Sequence, residues 1–398
     1  MGNKYIYSLY KNPCNIYLSV CLLYSLQSTG FYELGQISVL LHAVLVCMSV
    51  YYFIYTNIFY RLPPFLKALD AIIIIVSVYT IFRFAAGDRI VDDAGVVMEP
   101  TGTIRSLYPL LSIFSFYAFS QKGYLNRGLL KRWVFVFIGC AILSIYGVLG
   151  LYKNMLEVTG FGAFTNNAGY AMLSIIPAVV FFKKKPIIQY SLLMVIDFFV
   201  FSSMKRGAML IGLLCTIYFL YQSYKHNAKH RTAIFLVSVL AIVAISYYFI
   251  REYSTNEYFI NRVEMTREGN SSNRDIIYDK LFSIYINQSS AFEQVFGHGL
   301  DGCAKNIGII AHSDWIEFMF DMGVLGIGLL ISFFVSLHST ANKIGKVNYD
   351  IFVVLGMAGL ILLFQSVFST ALSSVTYYSS CIIGFSLSHY KFSLHGKK

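Results

Sequence analysis

The chain has 398 residues, of which 57% are hydrophobic and 13% charged, and its mean hydropathy is +0.62. A soluble domain carries about 25% charged residues, so an ordinary soluble fold is excluded. The net charge of +11 would suit nucleic acid, but its distribution, given below, assigns it to membrane orientation instead.

Apolar runs of about 20 residues recur along the whole chain, which indicates a polytopic membrane protein. The runs are continuously apolar and not alternating, so the class is all-α and not a barrel. Twelve spans are predicted, at about 8–27, 36–58, 66–86, 104–120, 132–152, 166–182, 186–204, 207–223, 232–250, 312–337, 350–369 and 372–390. Pro13 interrupts the first, because it removes a backbone donor; that helix is expected to begin only after it. No small-residue cleavage site follows the first apolar run, so no cleavable signal peptide is expected. Grouped by span, the chain divides into helices 1–9 (1–250), one long polar loop (251–311) and helices 10–12 (312–398).

Charge sets the orientation. With the amino terminus inside, the inner segments hold basic residues from Lys4 and Lys11 through Lys183, Lys184 and Lys185 to Lys397 and Lys398. Only two acids, Asp70 and Asp350, accompany them. Basic inner loops are the usual orientation signal, so both termini are expected in the cytoplasm and no nucleic-acid partner is expected. Six of the seven cysteines fall in or beside apolar runs, so no disulfide framework is implied.

The outer loop of roughly 60 residues is far longer than an ordinary connection. Within it, Asn273–Ile286 carries Ile276, Ile277, Leu281, Ile284 and Tyr285 at helical spacing. A short amphipathic helix near the membrane surface follows, with Asn273 as its cap.

Several residues on this side carry chemistry. Lys205 and Arg206 occupy a very short outer turn, where the charge rule disfavours them. An arginine there suits an anionic group, because its planar fork donates two parallel hydrogen bonds to phosphate; snorkelling to lipid phosphates is the plainer alternative. Arg274 opens the amphipathic helix and faces the same region, or is a solvated loop arginine. His312 stands where the loop meets the tenth span. A neutral imidazole can take a proton from a hydroxyl, although a lone histidine more often caps a helix. Asp314 and Glu317 are alternative bases, and Asp314 also suits a helix first turn. His298 lies between Gly297 and Gly299, which implies a tight turn, beside a ligand or alone. Asp197 is a lone acid within a span, expected to pair with a basic residue or to line a polar cavity. No third partner at ligand spacing joins the histidines, so neither a metal nor another cofactor is expected.

These features resemble the O-antigen polymerase and O-antigen ligase superfamily. His312 is followed after ten intervening residues by Gly323, within AHSDWIEFMFDMGVLG. Arg206 is followed after three by Leu210, and Arg274 begins a helix that runs toward FGHG. FTNNAGYAMLSIIP resembles the family's Asn-rich start of a span, which brings in Asn166; as an alternative, Asn166 or Asn167 caps a helix. The likeness covers roughly residues 160–330, while the first 150 match only in hydropathy. It implies a metal-independent membrane glycosyltransferase acting on a glycan carried by undecaprenyl diphosphate. Arg206 and Arg274 would hold the diphosphate, His312 would activate or position the acceptor hydroxyl, and Lys205, His298, Asp314, Glu317 and Asn166 would bind substrate. The location implied is the bacterial inner membrane, with a chain-length regulator as a further partner. Polymerisation of lipid-linked repeat units is the first expectation and transfer to a lipid A core the alternative. A flippase would call for internal repeats and broken helices at the midplane.

Overall fold

The computed structural model describes residues 12–28, 36–87, 90–91, 97–98, 100–159, 168–203, 205–226, 274–372 and 375–391, with scattered positions between 232 and 264. In order these form α1 (Pro13–Ser28), α2 (Gln36–Phe59), α3 (Pro64–Ala86), α4 (Pro100–Gln121), α5 (Arg127–Thr159), α6 (Ala168–Leu173), a 3₁₀ segment (Ile176–Phe182), α7 (Pro186–Ser202) and α8 (Arg206–His226). There follow α9 (Arg274–Asn287), α10 (Ala291–Phe296), α11 (Gly302–Ile307), α12 (Asp314–Gly345), α13 (Tyr349–Phe368) and α14 (Tyr377–Leu387). The strand content of the described residues is one two-residue antiparallel ladder, pairing Ile90 with Met98 and Val91 with Val97.

Among the described residues, six helices are long and apolar enough to cross a membrane: α2, α3, α5, α8, α12 and α13. Three shorter apolar segments accompany them at Pro13–Leu26, Ala168–Phe182 and Pro186–Ser202. The expected pattern is therefore altered in several places, each with a local cause. The first helix takes Pro13 as its opening residue and does not wait for the next one; at that position the missing N–H would lack an intrahelical partner anyway. The segment expected as one span at 166–182 is split, and its α-helical part ends at Leu173. Leu173 lies four residues before Pro177, whose ring meets that carbonyl and whose nitrogen cannot donate to it. The last expected span is a helix of 11 residues, Tyr377–Leu387, all of them buried. At 1.5 Å per residue that is about 16 Å, too short to cross alone. The span expected at 232–250 lies largely outside the described residues.

The helices pack through large apolar side chains, with Tyr17, Phe65, Phe114, Phe116, Phe181 and Phe333 almost wholly enclosed. Buried polar groups join helices: Tyr17 Oη bonds the hydroxyls of Ser49 and Ser112 at 2.7 Å each, linking α1, α2 and α4. Such bonds between spans are worth about 0.6–2 kcal/mol. Asp197 on α7 accepts from Thr216 Oγ1 on α8 at 2.8 Å. Its partner is thus a hydroxyl, where a basic residue or a polar cavity was expected.

The bundle has two ends of different chemistry. At one end Lys183 Nζ lies 3.0 Å and Arg127 Nη2 3.7 Å from the two carboxylate oxygens of Asp350. The last residue of α8, His226, stacks on Tyr349 there. At the other end lie the start of α8, the start of α9, the start of α12 and the end of α13.

Candidate active site

The site is built where α12 begins. Ser313 is the N-cap of α12, and its hydroxyl donates to the Ser366 carbonyl at 3.3 Å. Trp315 Nε1 donates to Ser366 Oγ at 3.0 Å. Asp314 is buried, and its Oδ2 accepts the amides of Ala371 and Leu372 at 2.7 and 2.9 Å. These bonds lash the start of α12 to the end of α13 and fix the turn that follows it. Charge-assisted bonds to backbone amides are among the stronger ones in a protein.

His312 stands just before this anchor with φ 56. That left-handed conformation is uncommon for any residue bearing a Cβ, although histidine visits it more readily than most. Glu317 holds it there: its Oε1 accepts the His312 amide at 3.0 Å. Both expected alternative bases, Asp314 and Glu317, thus have backbone partners, while the His312 side chain belongs to an exposed residue.

Three separate stretches meet at Phe368, the last residue of α13. Arg274 Nη1 donates to the Phe368 carbonyl at 2.6 Å. Arg206 opens α8, and a Cβ placed on the adjacent Gly207 would touch the Tyr170 hydroxyl and lie 3.6 Å from Phe368 Cβ. Lys205 Nζ sits 5.9 Å from the centre of the Tyr170 ring, within cation–π range. Arg206 and Arg274, 68 positions apart in sequence, therefore flank one helix end, with Lys205 and Tyr170 beside them.

Electrostatics tie His312 to the same group. Although part of the residue is exposed, its pKa is lowered from the ordinary histidine value, first by partial desolvation of the ring and then by the positive charges of Arg274 and Lys205. A ring so placed stays neutral at neutral pH and keeps a lone pair for a proton. On α9, burial raises the pKa of the Tyr278 hydroxyl, while Arg274 and a hydrogen bond with Ser313 pull it down. The helix opened by Arg274 therefore reaches the start of α12. It spans Arg274–Asn287, against the expected Asn273–Ile286, and buries Ile277 and Leu281. Ile276, expected on that apolar face, is exposed instead. Asn273 lies outside the described residues.

His298 has other neighbours. The glycines around it take positive φ, 77 at Gly297 and 86 at Gly299, so the expected tight turn is present. The amides of His298 and Gly299 donate to the carbonyls of Phe320 and Asp321 at 2.8 and 3.0 Å. Its ring stacks on Phe320 with centroids 4.4 Å apart, and its Nε2 is 2.8 Å from Ser289 Oγ. Burial lowers its pKa, Glu293 opposes that, and Lys305 adds to it. His298 lines a cavity of about 510 Å³ between the end of α3 and residues 292–305. The two histidines thus have separate surroundings.

Asn166 lies outside the described residues. Two parts of the arrangement were not singled out from sequence. Tyr170, at 4% exposure, follows the Asn pair in NNAGY and carries no mark of its own beyond being a polar aromatic. Arg83, ion-paired with Asp301, is a cation in the last turn of an apolar helix, a place that also suits the helix dipole. The chain matches no family model, and no curated protein matches it significantly.

Proposed function

We propose that this protein is a membrane glycosyltransferase that polymerises lipid-linked oligosaccharide repeat units, O-antigen or capsular, at the outer face of the bacterial inner membrane. The observation that carries the reading is the meeting of Arg206, Arg274 and Lys205 at one helix end with a histidine whose proton affinity two of them depress. A lipid diphosphate and a sugar hydroxyl are the reactants that such a set suits.

The acceptor hydroxyl oxygen forms a bond to the anomeric carbon of the growing glycan. The bond from that carbon to the undecaprenyl diphosphate oxygen breaks, and the leaving diphosphate takes the electron pair. The hydroxyl proton passes to His312. Arg206 and Arg274 hold the charge that builds on the leaving group, as fixed cations do in a transition state, and Lys205 adds a third charge. The guanidinium groups supply the cationic stabilisation, so the reading needs no metal. Glu317 and Asp314 act through the backbone by fixing where His312 stands. The products are a chain longer by one repeat and free undecaprenyl diphosphate.

The resemblance of the AHSDWIEFMFDMGVLG, Arg206 and Arg274 stretches to O-antigen polymerases and ligases supports the same reading, as does the long outer segment. In this proposal the chain has twelve spans, both termini are cytoplasmic, and a chain-length regulator is a partner. The ligase alternative differs only in its acceptor, a lipid A core.

Glycan display tests it. A strain lacking the gene is complemented with wild type, Arg206→Ala, Arg274→Ala or His312→Ala at matched protein levels. The expected null phenotype is a single repeat unit on the core, and the variants fail to restore the ladder. Long chains held on the carrier lipid would make the protein a ligase. Full ladders from all three variants would remove the proposed site.

A further inference from the structure

The cavity beside His298 stands apart from the cluster at Phe368, and an inference from it does not rest on glycosyl transfer. Its walls come from the last two turns of α3 and from the α10–α11 region, and its volume is about 510 Å³. That lies within the range of about 300–1,000 Å³ usual for sites that take a small molecule. The lining is mostly carbon: Tyr79, Phe82, Phe292, Phe296 and Leu300 dominate it. Two cations, Arg83 and Lys305, share it, with no carboxylate among the described lining residues. Asp301, the partner of Arg83, is not a lining residue. Phe82 and Phe292 stand at the rim with 70% and 69% of their surfaces exposed.

We propose that this cavity seats an anionic membrane lipid, with its phosphate against Lys305 and the first carbons of its chain against Phe82, Phe292 and Phe296; the Arg83–Asp301 pair lies behind it. The position favours this occupant. α3 is long and apolar enough to cross a membrane, so the cavity at its end lies where headgroups and chains meet. Basic pockets at such depth suit lipid phosphates. A soluble anion would use Lys305 and leave the aromatic wall uncovered, whereas a neutral lipid would use the wall and leave Lys305 unused. Lys305 is exposed, and a lysine of this reach can set its ammonium on the phosphate while its stem lies along the apolar lining. His298 is held neutral by burial and contributes a hydrogen-bonding group without a fixed charge.

The test uses the full-length chain in detergent and native mass spectrometry with dihexanoyl phosphatidylglycerol, dihexanoyl phosphatidylcholine or inorganic phosphate as the probe. The expected result is saturable binding of phosphatidylglycerol, about tenfold tighter than phosphatidylcholine. Lys305→Glu and Phe292→Ser each weaken it about tenfold, and Arg206→Ala leaves it unchanged. Both altered residues are exposed, and a thermal melt confirms that each variant is folded; Lys305→Gln gives a second, milder probe of the charge. Equal binding of phosphatidylcholine would overturn the proposal, as would inorganic phosphate displacing the lipid. An unchanged affinity in both Lys305 variants would do the same. Loss of binding in Arg206→Ala would move the lipid to the Phe368 cluster and leave this cavity without it.

Discussion

At the scale of the residue, His312 shows how a side chain is prepared by its backbone. Its φ of 56 is a conformation that costs about 1–3 kcal/mol for residues bearing a side chain and persists only where the surroundings enforce it. Here Glu317 takes the amide of His312 and Asp314 takes those of Ala371 and Leu372. A testable consequence lies in the pH dependence of turnover. If neutral His312 receives the proton, activity is present above its folded-state pKa and falls as pH drops through it. Burial, Arg274 and Lys205 all lower that pKa, so kcat/KM should hold down to below the ordinary histidine value of about 6.5. Lys205→Ala removes one of the positive charges and should move the acid limb toward higher pH. An acid limb that stays in place in Lys205→Ala would separate Lys205 from His312. Sequence was enough to single out Arg206, Arg274 and His312, because a charge on the disfavoured side of a span or a histidine at its edge is conspicuous. It was not enough to assign Asp314 and Glu317, since a carboxylate that binds backbone and one that binds substrate look alike in one dimension. Tyr170 was invisible for a related reason: among 31 tyrosines, only the fold brings this one to Gly207.

At the scale of the element, the decisive feature is the break in α12. Gly323 has φ 62 and ψ −149, which interrupts the helical path. A Cβ there would run into the backbone of Gln294 and Val295, so the chain of α10 lies against the break. Just ahead of it, the carbonyls of Phe320 and Asp321 are taken by the amides of His298 and Gly299. The Asp321 side chain accepts the amides of Asp301 and Gly302 at 3.2 and 2.9 Å. The FGHG turn and the break therefore form one interlocked unit. Gly323→Ala should destabilise the protein by at least about 3 kcal/mol, from a forced glycine-only conformation together with overpacking. A thermal melt in detergent checks this, and an unchanged melting temperature would contradict it. The sequence marked both glycine clusters but could not relate them, because the contact joins residues 294–299 to 320–323 through the fold. The same limit explains the spans. Apolar runs announced where helices lie, while Pro177 and the short buried helix at 377–387 depend on local chemistry that a length criterion overlooks.

At the scale of the molecule, the two ends of the bundle agree with the division that charge implies. Lys183 and Asp350, both assigned to the inner side from sequence, meet Arg127 at one end. Arg206, Arg274 and the start of α12 meet at the other. Single cysteines at the two ends test which faces the cytoplasm. In a cysteine-free background, an impermeant maleimide should label Lys305→Cys in intact cells and label Lys184→Cys only after permeabilisation. The reverse pattern would invert the orientation and place the proposed chemistry in the cytoplasm. How much hydrophobic bulk stands in the membrane was legible in composition, because burying backbone in lipid demands continuous apolar helix. Where the reactive ends gather was not, because that depends on which helices pack side by side.

The break at Gly323 also bears on depth. A straight helix of 32 residues would measure about 48 Å at 1.5 Å per residue, well beyond a hydrocarbon layer of about 30 Å. The portion after the break, Val324–Gly345, measures about 33 Å on the same rise, which is one bilayer. The portion before it, Asp314–Met322, is thereby in excess of one crossing. The glycine thus acts as a waterline. On the proposed function it would leave His312 level with the headgroups, within reach of a lipid-linked substrate, without asking the membrane to thin or the long helix to tilt.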